Sequence, residues 1–154
     1  MGFRRTGVLW LCLAIGGCSR ATTSAPALVP VSGTVTLDGK PLVGAMVRFT
    51  PQQGTTGAEA FGTTDGDGRY SLTHRTEKPG AECGTYTVSF SKMALKDGSP
   101  IPPDKTAADV EAVEHVPRRY TAAFHATGDA RLTSVTVGMN GGTFDFALIA
   151  GPRR

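Results

Sequence analysis

Val31-Ser32-Gly33-Thr34-Val35-Thr36-Leu37-Asp38-Gly39-Lys40-Pro41-Leu42-Val43-Gly44-Ala45-Met46-Val47-Arg48-Phe49-Thr50-Pro51 alternates apolar and polar positions twice over. Val31, Gly33, Val35 and Leu37 fall on one face of an extended segment, with Ser32, Thr34 and Thr36 on the other. Ala45, Val47 and Phe49 alternate in the same way with Met46, Arg48 and Thr50. A period of two is the signature of a half-buried strand. Asp38-Gly39 accommodates positive φ and Pro41 cannot donate to a ladder, so residues 38–42 predict a turn. The two strands then read as a hairpin-like pair.

Five more strands follow outward from this pair. Residues 59–64 and 69–73 predict a third and a fourth, Tyr70 and Leu72 pointing together, joined by the tight-turn sequence Asp65-Gly66-Asp67-Gly68. Tyr86, Val88 and Phe90 alternate with Thr85, Thr87 and Ser89 as a fifth. Residues 132–137 predict a sixth. After the turn Asn140-Gly141-Gly142, residues 143–148 put Phe144, Phe146 and Leu148 on one face of a seventh. Seven short strands imply an all-β sandwich. Phe49, Tyr70, Tyr86, Phe90, Phe144 and Phe146 are its expected shared core, where burying one such ring contributes about 1.5 to 3 kcal/mol.

Residues 92–127 interrupt the rhythm with Pro100, Pro102, Pro103 and Pro117 around an acidic patch between Asp104 and Glu114. Residues 106–113 predict a short helix, since acidic side chains near its start suit the positive end of the helix dipole. A connection of this length inside a compact domain often carries function or mobility.

Ahead of the strands, Arg4 and Arg5 precede an apolar run over residues 7–17, the layout of a secretory signal. The run is too short to span a bilayer, which takes about 20 apolar residues. Leu13-Ala14-Ile15-Gly16-Gly17-Cys18 resembles the lipobox of bacterial lipoproteins. That resemblance implies a signal peptide over residues 1–17 and a Cys18 that carries a thioether-linked diacylglycerol as the first mature residue. Attached acyl chains contribute about 0.8 kcal/mol per buried methylene and hold a protein at a membrane surface. Ser19 after the cysteine implies, by the same resemblance, outer-membrane sorting and an extracytoplasmic location. The competing reading is an ordinary cleaved signal with an accidental cysteine. Residues 18–28, rich in Ser, Thr and Ala with Pro26, have the composition of a flexible tether.

Removing Arg4 and Arg5 from the 16 basic residues leaves 14 against 13 acidic, a mature charge of +1 with the histidines neutral. No electrostatic case for nucleic acid survives that balance. The lipobox resemblance implies that Cys12 leaves with the signal and that Cys18 is acylated, which would leave Cys83 as the one remaining thiol with no partner for an intramolecular disulfide. No basic partner is identifiable beside Cys83, and it reads as a passive turn or strand-start residue.

Val31–Pro51, together with Thr64-Asp65-Gly66-Asp67-Gly68-Arg69-Tyr70 and Gly84-Thr85-Tyr86-Thr87-Val88, resembles the carboxypeptidase regulatory-like domain family. More narrowly, it resembles the small bacterial lipoproteins that carry one such domain. Pro117-Arg118-Arg119-Tyr120 and Thr143-Phe144-Asp145-Phe146 are similar to the family's later segments. The resemblance implies a seven-stranded, transthyretin-like (prealbumin-type) Greek-key β-sandwich over residues 29–150, with 151–154 as a tail. It also implies a non-catalytic binding or structural module of the cell envelope. Its expected partners are the membrane, through the N-terminal lipid, and an envelope protein or polysaccharide.

Sites of chemistry are few. Asp65-Gly66-Asp67-Gly68 opens like a calcium loop, but an EF-hand needs a ligand fifth, glycine sixth and glutamate twelfth, where Arg69, Tyr70 and Thr76 stand. His74, His115 and His125 lack short ligand spacing and read as surface histidines, so no metal or cofactor is expected. No Gly-x-Ser-x-Gly elbow occurs. Hydroxyisourate hydrolases, enzyme relatives of transthyretin, end in a Tyr-Arg-Gly-Ser-like tail, where this sequence has Ala150-Gly151-Pro152-Arg153-Arg154. No catalytic residue is expected. Two alternatives stay open: a small hydrolase or metal-dependent enzyme using the 92–127 loop with His115 or His125, and a carbohydrate-binding module. For the latter, Trp10 lies in the leader, leaving Tyr120 and Phe124 as candidate platforms, although packing against the sandwich suits both.

Overall fold

The computed structural model describes residues 27–122 and 133–151. In chain order its strands begin with β1 (Leu28–Val29), β2 (Val31–Leu37), β3 (Lys40–Pro41), β4 (Met46–Pro51), β5 (Ala60–Thr63), β6 (Arg69–Ser71) and β7 (Thr73–His74). They continue with β8 (Ala81–Glu82), β9 (Gly84–Ser91), β10 (Met93–Ala94), β11 (Val113–Glu114), β12 (Thr133–Val137), β13 (Gly142–Thr143) and β14 (Phe146–Leu148). The protein is all-β, and each stretch expected as a strand is at least partly extended, although the expected fourth strand divides between β6 and β7, which lie in different sheets.

One sheet runs β12-β9-β4-β5-β7 with all neighbours antiparallel. The other is built around β2. Its first half pairs antiparallel with β6 and its second half with β3, while its opposite edge pairs parallel with β13 and then β14. Alternate side chains of both sheets meet in one core. Phe49 sits at its centre, fully buried, with its ring 5.9 Å from Tyr86 in its own sheet and 6.1 to 6.5 Å from Phe144, Phe146 and Tyr70 in the other. Tilted and edge-on rings at such separations add to simple burial. All six aromatics expected in the core pack there, Phe144 only half-buried.

The hairpin expected between residues 31–37 and 45–50 does not form. Asp38 (φ 50°) and Gly39 (φ 77°) make the tight turn, and it returns the chain only as far as the two-residue β3. Two consecutive positive φ values are what a type I′ turn demands. The chain then crosses at residues 42–45 to the other sheet, where β4 pairs with β5 and β9. The Asp65–Gly68 turn makes the reverse crossing, from β5 to β6. Of the two turn motifs, Asp38-Gly39 stays within the β2 sheet and Asp65–Gly68 carries the chain between layers.

Thr64 secures the first crossing. Its buried hydroxyl donates to the Leu42 carbonyl and accepts from the Ala45 amide at 2.8 Å, while its own amide donates to Ala45 O at 2.9 Å. Thr64→Val keeps the shape and strands two buried backbone groups, each of which costs about 1–3 kcal/mol unpaired. The urea midpoint should fall in Thr64→Val and stay near wild type in Thr64→Ser, which retains the hydroxyl.

Two further expectations are corrected. Residues 106–113 do not form a helix: Asp109 accepts from the Thr106 amide and hydroxyl at 2.9 and 2.7 Å, a start that ends within one turn at Glu111 (φ 48°). Val113, the last residue of the stretch, is extended with Glu114 in β11, which pairs with β10 and closes the excursion at its base. The seventh strand is also split. Between β13 and β14, Asp145 turns outward and accepts from the Thr34 amide and hydroxyl at 2.8 and 2.7 Å, replacing the missing ladder bonds.

Candidate functional site

The long connection is held on the sandwich by Glu114. One carboxylate oxygen accepts from the Lys92 amide at 2.7 Å and the Val116 amide at 2.9 Å, and the other from the Ser91 hydroxyl at 2.6 Å. Two cavities open beside this latch. The larger, about 620 Å³, is lined by Glu114, His115, Val116, Arg118, Thr121 and Ala150. The smaller, about 270 Å³, lies between the latch and the outer face of the β9–β4 pair, with Arg48, Ser89, Ser91, Glu114 and Thr121 on its walls.

The groups expected in the loop are engaged structurally. His115 Nε2 is 2.7 Å from the Leu95 carbonyl, and Glu114 spends its oxygens on the latch. Tyr120 packs on the core, accepts weakly from the Ile149 amide at 3.3 Å and carries the Arg119 guanidinium 4.8 Å above its ring. His125 and Phe124 lie outside the described residues, as does Cys18.

His74 is not a surface histidine: it is 2% exposed. The fourth strand ends earlier than its apolar residues suggest, so His74 falls on the inward side of β7. Its Nδ1 takes the Thr76 amide at 3.3 Å and lies 2.8 Å from the Thr76 hydroxyl, while Nε2 points at the Glu82 carboxylate 3.8 Å away, too far for a hydrogen bond. Glu82 itself accepts from the Ala58 amide at 2.8 Å. Tyr86 donates to the Glu82 carbonyl at 2.9 Å, and burial, helped by the charges of Glu82 and Cys83, holds its phenol above the usual range. Cys83 is exposed, between β8 and β9.

The Asp65 loop is filled by its own backbone. Asp65 Oδ1 accepts from the amides of Asp67 and Arg69 at 2.9 and 2.8 Å, and Asp67 pairs with Arg69 at 2.9 Å. No cluster of His, Cys, Asp and Glu suited to a metal occurs among the described residues.

The outer face of the β12-β9-β4-β5-β7 sheet carries a feature that residue-by-residue reasoning missed. Register places Ser134, Thr87 and Thr50 in one row across the strands, and Ser89, Arg48, Phe61 and Thr73 in the next. Gln52 bridges the first row, its Nε2 donating at 3.1 Å to both Thr87 and Ser134. Phe61 is 42% exposed in this field of hydroxyls. Arg48 has no ion-pair partner among the described residues, and its side chain reaches the mouth of the smaller cavity. The signal was present in the sequence: Phe61 sits out of phase with Ala60 and Gly62, the residues β5 buries.

Comparison of the chain with models of protein families, with curated proteins and with solved structures gave no match.

Proposed function

We propose that this chain is a lipid-anchored, non-catalytic lipoprotein of the cell envelope, its body a transthyretin-like Greek-key sandwich of the carboxypeptidase regulatory-like kind. The observation that carries the reading is the position of the Leu13–Cys18 run, whose cysteine stands ten residues before the first strand at Leu28. Ten residues span at most about 35 Å, so acyl chains on Cys18 would hold the sandwich close to a membrane surface, in an extracytoplasmic space and, with Ser19 following, on the outer membrane. The two-layer core and the inter-sheet crossings at residues 42–45 and 65–68 support the fold assignment. Among the described residues of the long connection, Glu114 and His115 are taken up in fastening it, which favours a binding or structural role over hydrolysis.

The test is metabolic labelling with a fatty-acid analogue, followed by fractionation. Wild type should incorporate the label and sediment with membranes, and Cys18→Ala should lose both. Equal labelling of the two rejects the anchor.

A further inference from the structure

We infer that the outer face of the β12-β9-β4-β5-β7 sheet is a binding site for a polysaccharide strand that carries carboxylate groups, with Phe61 and Arg48 as its principal contacts. The inference rests on the envelope-lipoprotein reading for its setting, since a body held within about 35 Å of a membrane meets envelope glycans at high local concentration.

The face excludes other ligands by its composition. Protein interfaces concentrate aromatic and apolar residues at their centre and are depleted in Ser; here hydroxyls predominate around one exposed ring. Nucleic acid needs clustered Lys and Arg. The Ser89–Thr73 row supplies a single cation, Arg48.

What remains matches a sugar chain on each count. Sugars present hydroxyls at their edges, and each Ser or Thr hydroxyl offers one donor and two acceptor sites in return. The Gln52 bridge uses Thr87 and Ser134 as acceptors, so both hydroxyl protons stay available to a ligand while the side chains are already fixed. A pyranose ring also has an apolar C–H face, and Phe61 offers it an exposed platform. Strands lie about 4.8 Å apart, and with Ser89 buried the accessible part of the row runs across three strands from Arg48 through Phe61 to Thr73, long enough to seat a pair of sugar units.

Charge decides the class of glycan. Arg48 is directly cross-strand from Phe61, and its guanidinium, without an ion-pair partner among the described residues, can take a carboxylate through paired N–H donors. Glu114, the carboxylate nearest along the cavity wall, is committed to Ser91 and two backbone amides. Glu59 is bonded to Thr50 at 3.3 Å. A sugar carboxylate against Arg48 would place the adjoining ring over Phe61.

The full chain in detergent should be retained on polygalacturonate coupled to beads, a glycan in which every sugar bears a carboxylate, and only weakly on cellulose, which is neutral. Phe61→Ala and Arg48→Gln should each weaken retention on polygalacturonate about tenfold while melting like wild type, both side chains being exposed. Cys18→Ala should bind polygalacturonate as wild type does, so a failure of the anchor and a failure of this site are read separately. Absence of wild-type retention on polygalacturonate, equal retention on cellulose, or undiminished binding by both variants would overturn the proposal.

Discussion

Phe49→Ala should lower the stability of the sandwich by about 3–5 kcal/mol, the usual cost of emptying a buried phenylalanine site. The reason is position. Phe49 lies against four aromatic rings, so its removal takes contacts from Tyr86 on one side and from Tyr70, Phe144 and Phe146 on the other. Phe90 and Phe146, 5.1 Å apart, remain but cannot fill the space. Domains of this size have roughly 5–15 kcal/mol to lose, and the expected fall in midpoint is about 10–20 °C. Calorimetry of Phe49→Ala beside Phe61→Ala makes the comparison internal, since Phe61 lies in the adjoining strand and faces solvent. Similar melting temperatures for the two would refute a core centred on Phe49.

Gly33→Ala should be the second severe lesion, with a loss of about 3 kcal/mol or more. A Cβ at this position would stand 1.9 Å from the Phe144 carbonyl oxygen and 2.6 Å from its carbon. These are backbone atoms, so no rotamer change relieves the clash. β2 would have to part from the β13–β14 junction, where Phe144 donates to Ser32 O at 2.8 Å and accepts from the Tyr70 hydroxyl at 2.8 Å. That buried phenol, held well above its usual pKa first by burial and then by Asp145, would lose its acceptor. Alanine gains about 0.4–1 kcal/mol through the unfolded chain, too little to offset the separation. Hydrogen exchange should show the Phe146–Leu148 amides opening first; unchanged protection there would contradict the close approach.

Periodicity made the strands legible because each has one face on a common core, and the pattern of Val35, Val47, Val88 and Phe146 records that face directly. Pairing was less legible. The turn chemistry of Asp38-Gly39 is the same whether the returning strand runs for two residues or seven, and only Thr64, distant in sequence, fixes where the chain leaves the sheet. The stretch 106–113 carries a capping signal at Thr106 and Asp109 that is locally satisfied, yet β10–β11 pairing takes the end of the segment. His74 looked exposed because its burial depends on Glu82 and the β1–β8 pair, which no local pattern announces. The candidate binding face was hidden for a related reason. Arg48 and Phe61 are adjacent only through the β4–β5 register, and a lone aromatic among threonines carries no motif of its own.

The parallel pairing of β2 with β13 and β14 joins segments about as far apart as this fold allows, with Thr34 and Asp145 separated by 111 positions. Such high contact order slows folding, because loop closure must be paid for before the contact rewards it. A chain emerging from its N-terminus has every partner of the β12-β9-β4-β5-β7 sheet before it has the strand that completes the β2 layer. Until residues 142–148 arrive, one flank of β2 stays open and the core lacks Phe146 and Leu148. The molecule is thus built to mature only once residues 142–148 have been made, and a truncation before Phe146 would leave a sticky half-structure in place of a smaller domain.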